Sequence, residues 1–85
     1  MKRIVFSVYD RRAELFMAPF LMVSQGQATR SFGDEVNRAD RENVVHQHPE
    51  DFELFEFGTW DDVTGRYELF GAPRRLVLAS DLVVR

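Results

Sequence analysis

Two histidines and two carboxylates lie within six residues and have the chemistry of metal ligands. His46 and His48 are separated by one residue, and Glu50 and Asp51 follow closely. Imidazole and carboxylate groups at this spacing on a strand suit a divalent ion. Pro49, however, favours a loop here, and no motif supplies a further ligand. We therefore interpret both histidines as solvated loop residues and predict no metal and no cofactor.

Carboxylates are the second group with catalytic potential. They are Glu50, Asp51, Glu53, Glu56, Asp61, Asp62 and Glu68. A glycosidase-like pair requires a cleft and two separated pKa values, for which an 85-residue chain has little room. No serine lies in a nucleophile-elbow motif, and glycine-rich phosphate loops are absent from the sequence. We predict a solvated acidic face and no enzymatic activity.

Basic residues interspersed with aromatic ones form the pattern with the most functional content. Lysine and arginine contact phosphates, while exposed Trp and Tyr rings stack on unpaired bases. The candidates for binding single-stranded nucleic acid are Lys2, Arg3, Arg11, Arg12, Trp60, Arg66, Tyr67, Arg74 and Arg75. The alternative is that the rings pack in the core and the arginines solvate the surface.

The distribution of charge argues both for and against nucleic-acid binding. The net charge is −3, but residues 1–30 carry +3, residues 31–69 carry −8 and residues 70–85 carry +2. Basic ends can form one basic face on an acidic protein. They can equally pair with the acidic middle, within the fold or across a dimer.

The composition predicts a single folded domain over residues 1–85. Hydrophobic residues make up 45% of the chain and charged residues 29%, as in ordinary globular proteins. Cysteine is absent, which excludes disulfides and thiolate chemistry and fits a reducing compartment. No signal peptide is visible, and the longest apolar run, 15–23, is too short to cross a membrane. We expect a soluble, cytoplasmic protein.

Hydrophobic periodicity predicts the elements of the first half of the chain. Alternating apolar residues predict a strand from 2 to 9, and a second extended segment, 13–23, is broken at Pro19 or confined to a sheet edge. A capping box at Ser24 and Gln27 predicts a helix over 25–38. The apolar stripe of that helix is Ala28, Phe32 and Val36. Residues 37–48 are predicted to form a loop.

The stretch from 48 to 69 predicts a β-hairpin with a turn near Gly65. A change of apolar phase at Leu54 and Phe55 indicates burial on both faces or a β-bulge. Pro73 predicts a second break before a strand that includes 76–79. The predicted class is α+β, with an antiparallel sheet of four or five strands, one helix on one face and the order β-β-α-β-β-β. Exposed strand edges and an apolar tail at 82–84 favour a homodimer.

The sequence resembles a family of known proteins from residue 5 to about 73. The matching segments are VFSVYD at 5–10, AE at 13–14, PF at 19–20, ATRSF at 28–32, HPEDF at 48–52, LF at 54–55, Gly58, DD at 61–62 and TG at 64–65. In order and spacing they resemble the small nonstructural protein of gokushoviruses, single-stranded DNA bacteriophages of the Microviridae. Trp60 departs from the pattern, since the family often has Phe there.

The resemblance implies a phage protein that is made in the bacterial cytoplasm and is absent from the virion. It further implies an accessory role in DNA binding or DNA replication, and it supplies no binding residues. Our leading hypothesis is a non-enzymatic, dimeric protein that binds single-stranded DNA during genome replication or packaging. The second is an adaptor that docks on a phage replication or capsid protein, or on a host factor.

Overall fold

A computed structural model describes residues 1–84. In this range the chain forms five strands, β1 (Lys2–Asp10), β2 (Leu15–Phe16), β3 (Phe20–Met22), β4 (Phe52–Asp61) and β5 (Tyr67–Leu78). The helices are α1 (Gln25–Asn37) and the short α2 (Val44–Gln47), with 3₁₀ turns at Pro49–Asp51 and Ala79–Leu82. The strands make one antiparallel sheet in which β1 lies between β4 and the β2–β3 edge, and β5 forms the other edge. The predicted α+β class is confirmed.

The main helix, α1, covers one face of the sheet. Apolar residues spaced four apart lie on one side of a helix, and this side packs against the sheet. Ser24 caps α1 by accepting a hydrogen bond from the backbone N–H of Gln27, as the capping box predicts. Ala28, Phe32 and Val36 are all buried. They pack against a sheet face whose most deeply buried side chains, with no exposed surface, are Phe6 and Leu54. This helix-covered face is the core of the protein.

Pro19 divides the second extended segment, as predicted. β2 pairs with the end of β1 through Phe16 and Tyr9, whereas β3 pairs with its middle through Phe20 and Phe6. Between them the buried Ser7 hydroxyl donates a hydrogen bond of 2.6 Å to the Met17 carbonyl oxygen. This bond holds the non-strand residues against the sheet, where proline cannot form a ladder bond.

The predicted hairpin is present, and the change of phase within it is a real irregularity of the ladder. The β4–β5 register shifts between Leu54 and Phe55, and again between Glu56 and Gly58. The predicted break at Pro73 is present as an interruption of the ladder, because residues 70–73 have no partner in β4, although β5 as a whole extends to Leu78. β5 lies at the sheet edge, where a missing N–H costs no ladder bond. The two strands expected on either side of Pro73 are therefore parts of one strand, β5. The extended segment expected over 13–23 is divided into β2 and β3.

The predicted loop before the hairpin contains the short helix α2. Asn43 caps it by accepting from the N–H of Val45, and the Asn43 amide donates to the carbonyl oxygens of Glu35 and Arg38. Val45 is buried in the core. The segment is held against α1 by this one buried valine together with the Asn43 hydrogen bonds, and a single apolar residue produces no periodicity that the sequence could show.

Candidate functional site

The sheet face opposite α1, which we call the open face, carries the exposed aromatic residues Phe16 and Tyr67. Tyr9, Phe16, Phe55 and Phe57 form a cluster there, with ring centroids of neighbouring pairs 4.8–6.2 Å apart. Such spacings are those of favourable tilted and edge-to-face aromatic pairs. The cluster stiffens one half of the open face.

A shallow apolar hollow lies beside this cluster. Its lining consists of Val5, Ser7, Phe16, Met17, Pro19, Phe57, Tyr67 and Leu69. Tyr67 is 59% exposed and Leu69 is 61% exposed, both on the edge strand β5. Large apolar side chains that share one concave surface are typical of a contact site for another molecule.

Three of the predicted nucleic-acid-binding residues form a row at one end of the open face. Arg3 of β1 pairs with Trp60 of β4, and Trp60 pairs with Tyr67 of β5. The Trp60 and Tyr67 rings lie 6.4 Å apart at an angle of 43°. Paired residues on neighbouring strands project from the same face. The Arg3–Trp60–Tyr67 row therefore brings a cation beside two aromatic rings, and Arg66 precedes Tyr67 in the chain.

Acidic residues lie close to several of the predicted basic residues. The Arg3 Nε atom lies 3.8 Å from an Asp62 carboxylate oxygen, and Lys2 Nζ lies 3.5 Å from Glu68. The pKa of Asp62 is lowered, chiefly by a hydrogen bond from the Met1 ammonium group, with Arg3 a lesser contributor. Asp62 is thus held in its charged form, so the end of the open face contains both signs of charge.

The remaining predicted residues lie elsewhere. Arg11 and Arg12 follow the other end of β1, where the Arg11 guanidinium donates to the Glu50 carbonyl oxygen at 3.4 Å. The Arg74 guanidinium carbon is 3.7 Å from the centre of the Phe70 ring, a cation–π contact. Arg75 donates to the nearly buried Glu53 carboxylate at 3.3 Å. The nine candidates do not form one continuous basic groove.

The histidines that suggested a metal site have separate surroundings. His46 Nδ1 lies 2.9 Å from the Val36 carbonyl oxygen, a hydrogen bond that joins α2 to α1. One potential ligand atom each from His48, Glu50 and Asp51 lies within 4.8 Å of the others, with two of the three residues exposed. Arg12 lines a separate depression together with His48, Glu50 and Asp51, and its positive charge disfavours a bound cation there.

Comparison with known proteins identifies the family. Residues 3–82 match the family described as Phage ORF5 protein. The chain belongs to the Phage ORF5 protein family. A relative, Protein ORF5 of Chlamydia phage 1, is 33% identical over 69 residues, which cover 79% of this chain and 72% of the relative. The resemblance to a small gokushovirus protein is thereby confirmed.

No solved structure matches this Phage ORF5 chain. None of the helices in residues 1–84 is long and apolar enough to cross a membrane. Sequence reasoning identified the three residues of the Arg3–Trp60–Tyr67 row but missed the apolar hollow. The available signal was the apolar run Phe16, Met17 and Ala18 directly before Pro19, together with the alternation of Tyr67 and Leu69.

Proposed function

We propose that this Phage ORF5 chain is a non-enzymatic, nonstructural accessory protein that binds single-stranded DNA in the cytoplasm of the bacterial host. It would act during replication or packaging of the viral genome. The observation that carries the proposal is the Arg3–Trp60–Tyr67 row, because an exposed Tyr67 ring and a half-buried Trp60 ring beside a guanidinium suit both the base and the phosphate of an unpaired nucleotide. Bases stack on the rings, and phosphates contact Arg3 and Arg66.

The ion pairs near the row compete only weakly with a phosphate. Arg3 and Lys2 have half-exposed side chains, and the distances to their acidic partners are 3.8 and 3.5 Å. Exposed pairs of this kind are weak because water and salt screen the two charges. Stacking of one base on an aromatic side chain contributes about 1–3 kcal/mol. A nucleic-acid strand can therefore displace these pairs at a net gain in free energy.

Fluorescence anisotropy with a labelled single-stranded oligonucleotide tests the proposal. If Lys2 adds a third phosphate contact to those of Arg3 and Arg66, binding should weaken roughly 20-fold between about 50 and 200 mM salt. Tyr67→Leu should weaken binding about 5-fold or more, whereas Tyr67→Phe keeps the ring and should bind as the native protein does. Arg3→Gln removes a proposed phosphate contact and should also weaken binding. Arg30→Gln, on the exposed side of α1, is the matched control and should not. Absence of binding at low salt would refute the proposal.

A second function, docking on a phage replication or capsid protein or on a host factor, is favoured by a different observation. The apolar hollow offers no charge to a phosphate, and acids accompany Lys2, Arg3 and Arg75. Met17→Glu places a charge in the hollow and leaves the Arg3–Trp60–Tyr67 row intact. If an adaptor function is correct, the native chain purified from infected cells should retain a phage protein that this variant loses. The variant should give the same result as the native protein in the oligonucleotide anisotropy assay.

A further inference from the structure

The apolar hollow of the open face adjoins the Arg3–Trp60–Tyr67 row. In the β4–β5 register, the pair Gly58 and Leu69 comes next to the pair Trp60 and Tyr67 on the same face. Gly58 contributes no side chain, so the surface is concave beside Leu69, which lines the hollow. Tyr67 lines the hollow as well and belongs to the row. The hollow and the row are therefore one continuous surface.

The hollow has the size of a single flat ring. Its volume is about 250 Å³. For comparison, a cavity of about 150 Å³ lined by leucine, isoleucine and phenylalanine binds benzene. Phe16 and Phe57 form one wall, with ring centroids 5.2 Å apart at an angle of 75°. One base of an unpaired strand fits this space, while its sugar and phosphate stay in solvent.

The lining offers few hydrogen bonds to such a base. Among the described residues, the hydroxyl groups in the lining are those of Ser7 and Tyr67. The Ser7 hydroxyl is buried and already donates to the Met17 carbonyl oxygen. The amino group of adenine, guanine or cytosine would leave water here without gaining a new partner, which is unfavourable. Thymine has no amino group, and its 5-methyl group gains from apolar contact.

We propose that the hollow is a subsite for one thymine base of single-stranded DNA, which enters with its 5-methyl group towards Leu69 and Phe57. The inference rests on the proposed DNA-binding function and adds a base preference to it. No charged side chain in residues 1–84 lines the hollow, so the phosphates of the strand remain at Arg3 and Arg66. The neighbouring base stacks at the Arg3–Trp60–Tyr67 row. A paired thymine is held within the duplex stack and cannot enter.

Two oligonucleotides that differ only in the methyl group test the subsite. Oligodeoxythymidine and oligodeoxyuridine of equal length are compared by fluorescence anisotropy at low salt. The native protein should bind oligodeoxythymidine about two- to fourfold more tightly, as expected when one methyl group is partly or fully buried. Oligodeoxycytidine, which has an amino group and no methyl group, should bind no better than oligodeoxyuridine.

Variants of the hollow show whether the methyl group is recognised there. Leu69→Ala removes part of the lining and keeps both rings of the row, so it should bring the thymidine-to-uridine affinity ratio close to one. Leu15→Ala is the matched control, because Leu15 is 59% exposed, Leu69 is 61% exposed and Leu15 does not line the hollow. It should keep the native ratio. Met17→Glu should lower the affinity for oligodeoxythymidine, whereas the adaptor function predicts no change.

The possible results separate the subsite from DNA binding itself. Equal affinity of the native protein for the two oligonucleotides would overturn the subsite and leave the proposed DNA-binding function standing. So would a preference for cytidine, a ratio that Leu69→Ala leaves unchanged, or undiminished binding by Met17→Glu. If the native protein binds none of the oligonucleotides at low salt, the proposed function and the subsite are both refuted.

Discussion

Gly58 of β4 lies directly against the peptide unit of Glu68 in β5, closer than any other residue type permits. A Cβ atom at position 58 would overlap the Glu68 carbonyl oxygen and lie 2.7 Å from the Leu69 Cα atom. The φ angle of Gly58 is +143°, which L-residues with side chains rarely adopt. The close contact between β4 and β5, and with it the position of Tyr67 and Leu69, depends on this missing side chain.

Gly58→Ala should therefore lower the free energy of unfolding by roughly 2–4 kcal/mol, because it combines backbone strain with steric overlap. Urea denaturation followed by circular dichroism measures the change. Gly71→Ala is the matched control in the same hairpin, since a Cβ atom there meets nothing within 4 Å. It should alter the free energy by less than about 0.5 kcal/mol. Equal midpoints for the two variants would contradict this account of Gly58.

Leu54→Ala should destabilise the protein by about 2–5 kcal/mol. The Leu54 side chain has no exposed surface and packs in the core beneath α1, so its removal leaves a cavity that the sheet cannot close. Leu15→Ala at the exposed β2 edge makes the same chemical change and should cost less than about 0.5 kcal/mol. Thermal or urea unfolding of both variants measures the two losses of stability. A similar loss at both positions would contradict the placement of Leu54 in the core.

Asn37 should control the attachment of the C-terminal residues to α1. Its side-chain amide donates to the Leu82 carbonyl oxygen at 2.9 Å, and its carbonyl oxygen accepts from the Val84 N–H at 2.8 Å. In Asn37→Ala, the Val84 amide should exchange its hydrogen faster by about tenfold, equivalent to loss of a bond worth about 1.4 kcal/mol. Asp34→Ala, on the exposed side of the same helix, should leave that amide unchanged. Hydrogen exchange by NMR distinguishes the two results.

Low pH should destabilise the C-terminal end of α1, because it protonates Glu35 and weakens its pair with Arg38. The pKa of Glu35 is lowered from its ordinary value of 4.5, first by a hydrogen bond from the Arg38 side chain. A folded-state pKa below the unfolded one stabilises the fold above pH 4.5, and this contribution disappears as pH falls through the folded-state pKa. The pKa of Asp40 is also lowered, chiefly by the Glu42 backbone N–H, and adds in the same direction.

The corresponding variant is Glu35→Gln, which should be slightly less stable than the native protein at pH 7 and equally stable at pH 3. The difference should be small because the Glu35 side chain is 44% exposed. Glu42→Gln removes a nearby carboxylate that lies outside the Glu35–Arg38 pair and is the control. Urea denaturation across this pH range measures the effect, and a stability difference that grows towards pH 3 would have the wrong sign.

Local patterns predicted much of the fold because the forces that shape those segments act between near neighbours. Ser24 and Gln27 mark the start of α1, the 28–32–36 stripe marks its buried face, and Pro19 marks the division of β2 from β3. The irregularity at Leu54 and Phe55 was likewise visible as a change of phase. Each of these signals needs only a few residues of chain to be recognised.

Pro73 and Val45 show the limit of local reasoning. Pro73 ends an unpaired stretch, residues 70–73, and only the strand order and register show that β5 resumes pairing with β4 beyond it. Val45 lies in a polar segment, and its burial follows from contact with a core assembled by distant residues. In both cases the deciding neighbour is remote in sequence.

For this protein the sequence by itself determined the α+β class, the capped helix, the hairpin, the family resemblance and the residue types able to contact DNA. The tertiary structure alone decided which of those residues meet. It placed Arg3, Trp60 and Tyr67 in one row, put Arg11, Arg12, Arg74 and Arg75 elsewhere, and left Leu69 at an unpaired edge. The physical reason is that strand order and register result from packing between distant segments, whereas turns, caps and periodicity result from the chain's immediate neighbours.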